Sequence, residues 1–72
     1  MMNKVYVVTS AEPPGDELYE TVTASAKEAE TFIRRNFPNA RKVAFLGNIT
    51  SFLCKQRNGN NLIMSIHEET IV

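Results

Sequence analysis

The chain has 72 residues, of which 43% are hydrophobic, and its eight basic and eight acidic side chains leave a formal net charge of zero. This length allows one small domain, and the hydrophobic fraction is typical of a globular protein rather than a disordered one. No apolar run approaches the ~18 residues of a membrane-spanning helix. Cys54 is the single cysteine, which excludes an internal disulfide and leads us to expect a reducing, cytoplasmic setting.

The first two predicted elements form an antiparallel hairpin. Residues 4–10 are rich in β-branched and aromatic side chains, and apolar groups alternate onto both faces, as in a strand inside a sheet. Residues 11–16 contain Pro13, Pro14 and Gly15 and predict a long loop. Residues 18–24 predict the second strand.

Residues 25–37 predict the one helix of the chain. Ser25 and Glu28 have the spacing of a capping box at its start, and Pro38 disfavours helical dihedrals at its end. At about 100° per residue, one side of this helix is apolar and the other is charged. The apolar side consists of Ala26, Ala29, Phe32, Ile33 and Phe37.

Three further strands are predicted at residues 41–46, 49–56 and 61 to about 68. Asn58 and Gly59 are the preferred pair of a two-residue type I′ turn between the last two strands. Such a turn, or a four-residue loop that shifts the partners but keeps the faces, would place four apolar residues beneath the helix, namely Leu53, Leu62, Met64 and Ile66. The opposite face would then hold Phe52, Cys54, Ile63 and His67.

The element order β-β-α-β-β-β predicts an α+β domain, with one mostly antiparallel sheet of four to five strands and one helix packed on one face. The second face of the sheet would keep apolar side chains in contact with water, above all Phe52 and Ile63. Because exposed apolar patches tend to be covered, we expect a homodimer that forms through this face.

Charge is unevenly distributed along the chain. Residues 1–30 contain two bases and six acids, residues 31–60 contain six bases and no acid, and the last twelve residues contain two acids. The bases of the middle segment are Arg34, Arg35, Arg41, Lys42, Lys55 and Arg57. The first four are expected at one end of the domain, while the place of the last two is left open. This segment predicts contact with an acidic protein partner or with nucleic-acid phosphates, unless it only keeps the surface solvated.

The ionisable residues do not form a pattern typical of catalysis or metal binding. With the tight turn, Cys54 and His67 would lie about 14 Å apart on one face, too far for proton transfer. His67, Cys54 and the adjacent Glu68 and Glu69 do not make a structural zinc set. We predict no catalytic residue, no metal and no cofactor.

The sequence therefore favours a non-enzymatic protein-binding or regulatory module. Two alternatives stay open. One is a nucleic-acid-binding protein that uses the basic segment 34–57, and the other is an accessory subunit of a larger enzyme or of a phage or bacterial assembly.

Overall fold

The computed structural model describes residues 3–71, which form one five-stranded sheet and one helix, an α+β fold with the predicted element order. The elements are β1 (Asn3–Ala11), β2 (Leu18–Thr23), α1 (Ala26–Asn36), β3 (Arg41–Leu46), β4 (Ile49–Lys55) and β5 (Asn61–Ile71). The strand order in the sheet is β2-β1-β5-β4-β3, and every neighbouring pair is antiparallel. In this part of the chain, no helix has the length and apolar character needed to cross a membrane.

Helix α1 begins and ends as its local chemistry predicts. The Ser25 hydroxyl accepts a hydrogen bond from the Glu28 amide at 3.1 Å, which satisfies one free donor of the first turn. At the other end, the Phe37 amide donates to the Ile33 carbonyl at 2.8 Å. Ala29 and Ile33 are the buried residues of the helix, and both belong to the predicted apolar side.

The core lies between α1 and the face of the sheet that we call the covered face. The helix packs over β1, β2 and β5, and β1 lies inside the sheet as predicted. One cluster of buried side chains fills this space, consisting of Val8, Ala29, Ile33, Ala40, Phe52, Cys54, Met64 and Ile66. The opposite side of the sheet has no helix over it among residues 3–71, and we call it the open face.

The turn between β4 and β5 differs from the predicted one. The Gln56 amide donates to the Asn60 carbonyl at 2.9 Å, so that three residues, 57–59, form the loop. The Gly59 amide donates to the Gln56 carbonyl at 3.0 Å, and Gly59 has a φ of +86°. This is a β-turn followed by a left-handed glycine. The predicted type I′ turn is wrong because it also needs a positive φ at Asn58, and none of the described non-glycine residues has one.

The longer turn moves the side chains of β4 to the other face, because side chains alternate along a strand. Phe52, not Leu53, lies opposite Met64, and Phe52 is fully buried in the core. The predicted position of Phe52 on the uncovered face is therefore wrong, and its buried ring offers no surface for self-association. Cys54 also lies in the core, whereas Leu53 and Ile63 pair with each other on the open face.

Candidate functional site

A row of hydroxyl groups crosses the middle of the open face. Ser51 of β4 lies opposite Ser65 of β5, and their Oγ atoms are 3.1 Å apart. Ser65 in turn lies opposite Thr9 of β1. Thr9 is 5% exposed and Ser65 is 9% exposed, although no helix lies over them. This row makes the centre of the open face polar.

The row ends in a cluster of three side chains, Thr9, Glu17 and His67. The Thr9 hydroxyl donates to the Oε2 atom of Glu17 at 2.6 Å, and Thr9 Oγ1 lies 3.2 Å from His67 Nε2. His67 Nε2 also lies 3.1 Å from the same Glu17 oxygen. Glu17 directly precedes β2, and β1 lies between β2 and β5 in the sheet. The Glu17 side chain therefore crosses β1 to reach His67 on β5. The cluster thus ties the loop after β1 to the sheet.

This geometry is not that of a nucleophile activated by a histidine. In a catalytic triad the hydroxyl donates to one ring nitrogen, and the carboxylate binds the other. Here the Thr9 proton is directed at Glu17, and both partners approach the same nitrogen of His67. The hydrogen bond from Thr9 lowers the pKa of the Glu17 carboxyl, and His67 adds to this effect. The cluster therefore holds an ionised carboxylate in place.

A cleft of about 350 Å³ lies beside the cluster and is bordered by Val7, Tyr19 and Glu69. The cluster forms the polar side of this cleft, and most of the remaining lining is apolar. The sequence did not single out His67 for this cluster, because the predicted turn placed it on one face with Cys54. In the structure these two residues lie on opposite faces. Burial raises the pKa of the Cys54 thiol, which keeps it protonated.

Two of the six predicted binding bases, Arg34 and Lys42, take part in the packing of the domain. Arg34 Nε lies 2.9 Å from one oxygen of Glu30, and Lys42 Nζ lies 3.9 Å from the other. Arg34 also donates to the Ala40 carbonyl at 2.8 Å. The two cations lie over the ring of Phe52, at 5.5 and 5.8 Å from its centre. They cover the part of the core that α1 does not reach.

The other four predicted bases, Arg35, Arg41, Lys55 and Arg57, form no ion pair with the acidic side chains of residues 3–71. Lys55 and Arg57 border a cleft together with residues 36–39, which follow the end of α1. Arg41 of β3 lies opposite Leu53 of β4, and Leu53 comes two residues before Lys55 on that strand. The structure thus places Lys55, Arg57 and Arg41 at the end of the domain where α1 terminates.

Strand β3 forms an exposed edge of the sheet. All six of its residues are exposed, and β4 is the one element of residues 3–71 close to it along the backbone. Its apolar side chains include Val43, Phe45 and Leu46, which are 49%, 74% and 80% exposed. The strand itself is predictable from the sequence, but its place at the edge is not, since strand order is not encoded in local patterns.

These features define a small α+β domain with an open antiparallel sheet, a polar cluster on its open face, a basic end and an apolar edge strand. Within residues 3–71, no three His, Cys, Asp or Glu side chains are grouped closely enough to hold a metal ion. None of the protein families, curated proteins or solved structures compared with this chain matches it.

Proposed function

We propose that the protein is a non-enzymatic protein-binding module that self-associates through β3. The observation that carries this proposal is the exposure of all six residues of the strand, including the large apolar side chains Val43, Phe45 and Leu46. An edge strand presents unpaired backbone N–H and C=O groups to its surroundings. When its side chains are also apolar, another strand can satisfy the backbone and cover the side chains at once.

The partner strand that fits best is β3 of a second copy in antiparallel orientation. Arg41 and Lys42 stand at one end of β3, and Phe45 and Leu46 stand at the other. Antiparallel pairing places the cations of each copy beside the apolar end of its partner and apart from one another. Parallel pairing would bring the like charges together. A two-fold symmetric dimer with one continuous sheet follows.

This proposal moves self-association from the open face to the edge of the sheet. The row of hydroxyl groups makes the centre of the open face polar, and Phe52 is buried on the other side. Ile63 stays a predicted secondary contact, since it lies on the open face of β5. A cytoplasmic setting likewise stays a prediction from the single cysteine.

Nucleic-acid binding through the basic segment has less support as a function. Arg34 and Lys42 are paired with Glu30, so that four of the six predicted bases remain to contact phosphates. Each released counterion requires such a contact, and the affinity for a polyanion falls as the contacts become fewer.

Sedimentation of two matched variants tests the proposal. Val43→Lys with Phe45→Lys places two charges on β3, and Tyr19→Lys with Val22→Lys places two charges on the other edge strand, β2, at residues that are also exposed. At tens of micromolar, on the order of the concentrations where weak dimers form, we expect the wild type and the β2 variant to be dimers. The β3 variant should be a folded monomer.

Two results would contradict self-association through β3. One is a monomeric wild type at these concentrations, and the other is a β3 variant that stays dimeric. Far-ultraviolet circular dichroism of all three proteins separates a loss of dimer from a loss of fold.

A further inference from the structure

The cleft at the end of α1 is a second candidate surface, and it is basic, whereas the edge of β3 is largely apolar. It has a volume of about 300 Å³ and lies between the residues that follow the helix and the turn that connects β4 to β5. Its walls consist of Asn36, Phe37, Pro38, Asn39, Lys55 and Arg57. Long-range contacts bring these two parts of the chain together, which is why the charge pattern of the sequence left the place of Lys55 and Arg57 open.

The cations of this cleft are available to a ligand. Lys55 and Arg57 are exposed, and neither lies within 4.0 Å of an acidic oxygen in residues 3–71. Arg34 and Lys42 differ from them, because both are paired with Glu30. The cleft therefore carries positive charge that the domain itself does not neutralise.

The hydrogen-bonding groups of the cleft also favour an anion. The side-chain amide of Asn36 donates to the Phe32 carbonyl at 2.8 Å, so this lining residue is already hydrogen-bonded within the helix. Arg57 offers the planar pair of donors that binds a carboxylate through two parallel hydrogen bonds. Lys55 adds a point charge to the same opening, and Asn39 adds a side-chain amide.

The surroundings of the cleft disfavour a long polyanion. Asn60, in the same turn as Arg57, donates through its side chain to Glu12 Oε1 at 3.1 Å. This contact places the start of the acidic segment 12–20 beside the basic turn, where it would repel the phosphates of a nucleic-acid strand that continued past the cleft.

We propose that this cleft binds the carboxylate side chains of an acidic segment in a protein partner, with Arg57 and Lys55 as the contacting bases. Arg41, on the strand next to Lys55, extends the positive surface toward β3. The proposal does not depend on self-association, because none of the residues that line the cleft belongs to β3.

An NMR titration of the isotope-labelled full chain tests the proposal. The probe is a hexaglutamate peptide with blocked ends. A short oligothymidylate of the same net charge is titrated separately to represent nucleic acid. We expect the peptide to shift the backbone amide signals of residues 36, 37, 39 and 55–57. Because the contact is electrostatic and exposed, the affinity should fall from low to physiological ionic strength.

Two double variants with the same change in net charge supply the control. Lys55→Glu with Arg57→Glu should weaken peptide binding about tenfold or more, since two charge-assisted contacts are lost. Lys4→Glu with Lys27→Glu alters bases outside the cleft and should leave the affinity within about twofold at physiological ionic strength. Lys55→Ala with Arg57→Ala repeats the test without introducing acids.

Three results would overturn the proposal. They are absence of peptide binding, equal weakening in both charge-reversal variants, and tighter binding of the oligothymidylate than of the peptide at residues 55–57. The last result would assign the cleft to nucleic acid instead.

Discussion

The two faces of the sheet are closed in different ways. On the covered face, an 11-residue helix and the cations of Arg34 and Lys42 exclude water from a dry apolar cluster. On the open face, the sheet is covered instead by hydrogen-bonded side chains from β4, β5, β1 and the loop before β2. A short helix is therefore sufficient for one face when the polar groups of the other face are hydrogen-bonded to one another.

The largest expected difference between the faces is in the loss of stability when two neighbouring residues of β4 are replaced by alanine. Phe52→Ala removes a fully buried ring and should lower the free energy of unfolding by about 3–5 kcal/mol. Leu53→Ala, on the open face, removes a half-buried side chain and should cost less than about 2 kcal/mol. Urea unfolding of both variants measures the two costs.

The order of these costs tests the register of the last hairpin. If Leu53→Ala were the more damaging change, the two-residue turn at Asn58 and Gly59 would be restored as the better description. If Phe52→Ala does not fold while Leu53→Ala does, the result supports the observed register as a large loss of unfolding free energy would.

The turn that sets this register is the next place to disturb. Gly59 has a φ of +86°, which an alanine side chain disfavours by about 1–2 kcal/mol. Gly59→Ala should therefore lower the midpoint of thermal unfolding. Arg57→Ala changes the same turn at a residue outside the left-handed region and should be close to neutral. Equal midpoints for the two variants would argue against a left-handed Gly59.

The smallest expected effect is on the open face, where Thr9→Val removes the hydroxyl that donates to Glu17. The shape is kept, and the exposed partners can bond to water instead, so the cost should stay within about 1 kcal/mol. The pKa of the Glu17 carboxyl should rise toward its ordinary value, because the hydrogen bond from Thr9 is the main cause of its depression. Carboxyl-carbon NMR titration of both proteins measures this rise.

The sign of the pH dependence follows from the same contact. Since folding lowers the pKa of Glu17, its contribution to stability is present above the ordinary pKa of a glutamate and is lost as the pH falls through the lower folded value. Thr9→Val should therefore lose less stability than the wild type on acidification. An unchanged acid profile together with an unchanged Glu17 titration would show that the hydroxyl does not hold the carboxylate.

Much of the fold could be predicted because its signals are local. The Ser25 cap, Pro38 and the apolar side of α1 specify where the helix begins, ends and packs. The bounds of β3 were predicted without error, and those of β1, β2 and β4 to within one residue, since β-branched runs and turn residues alternate along the chain. The end of β5 was placed too early, at about residue 68, whereas the strand continues to Ile71 through its pairing with β1.

The candidate surfaces were less predictable because they depend on register and strand order. The turn before Asn60 is one residue longer than predicted, which exchanges Phe52 and Leu53 between the two faces. The open face therefore lacks Phe52, a residue predicted to mediate self-association. The cluster of Thr9, Glu17 and His67 joins residues that are far apart along the chain, so no local pattern could reveal it. The same holds for the cleft that unites Pro38 with Arg57.

Local propensity and capping are properties of neighbouring residues, so the printed chain was sufficient to specify five strands and a helix in their order. The partners of each side chain were settled by long-range packing, in which a shift of one residue along a strand reverses the face it occupies. For that reason the roles of Arg34 and Lys42 as a cover for Phe52, and of Lys55 and Arg57 as free cations, emerged from the folded domain alone.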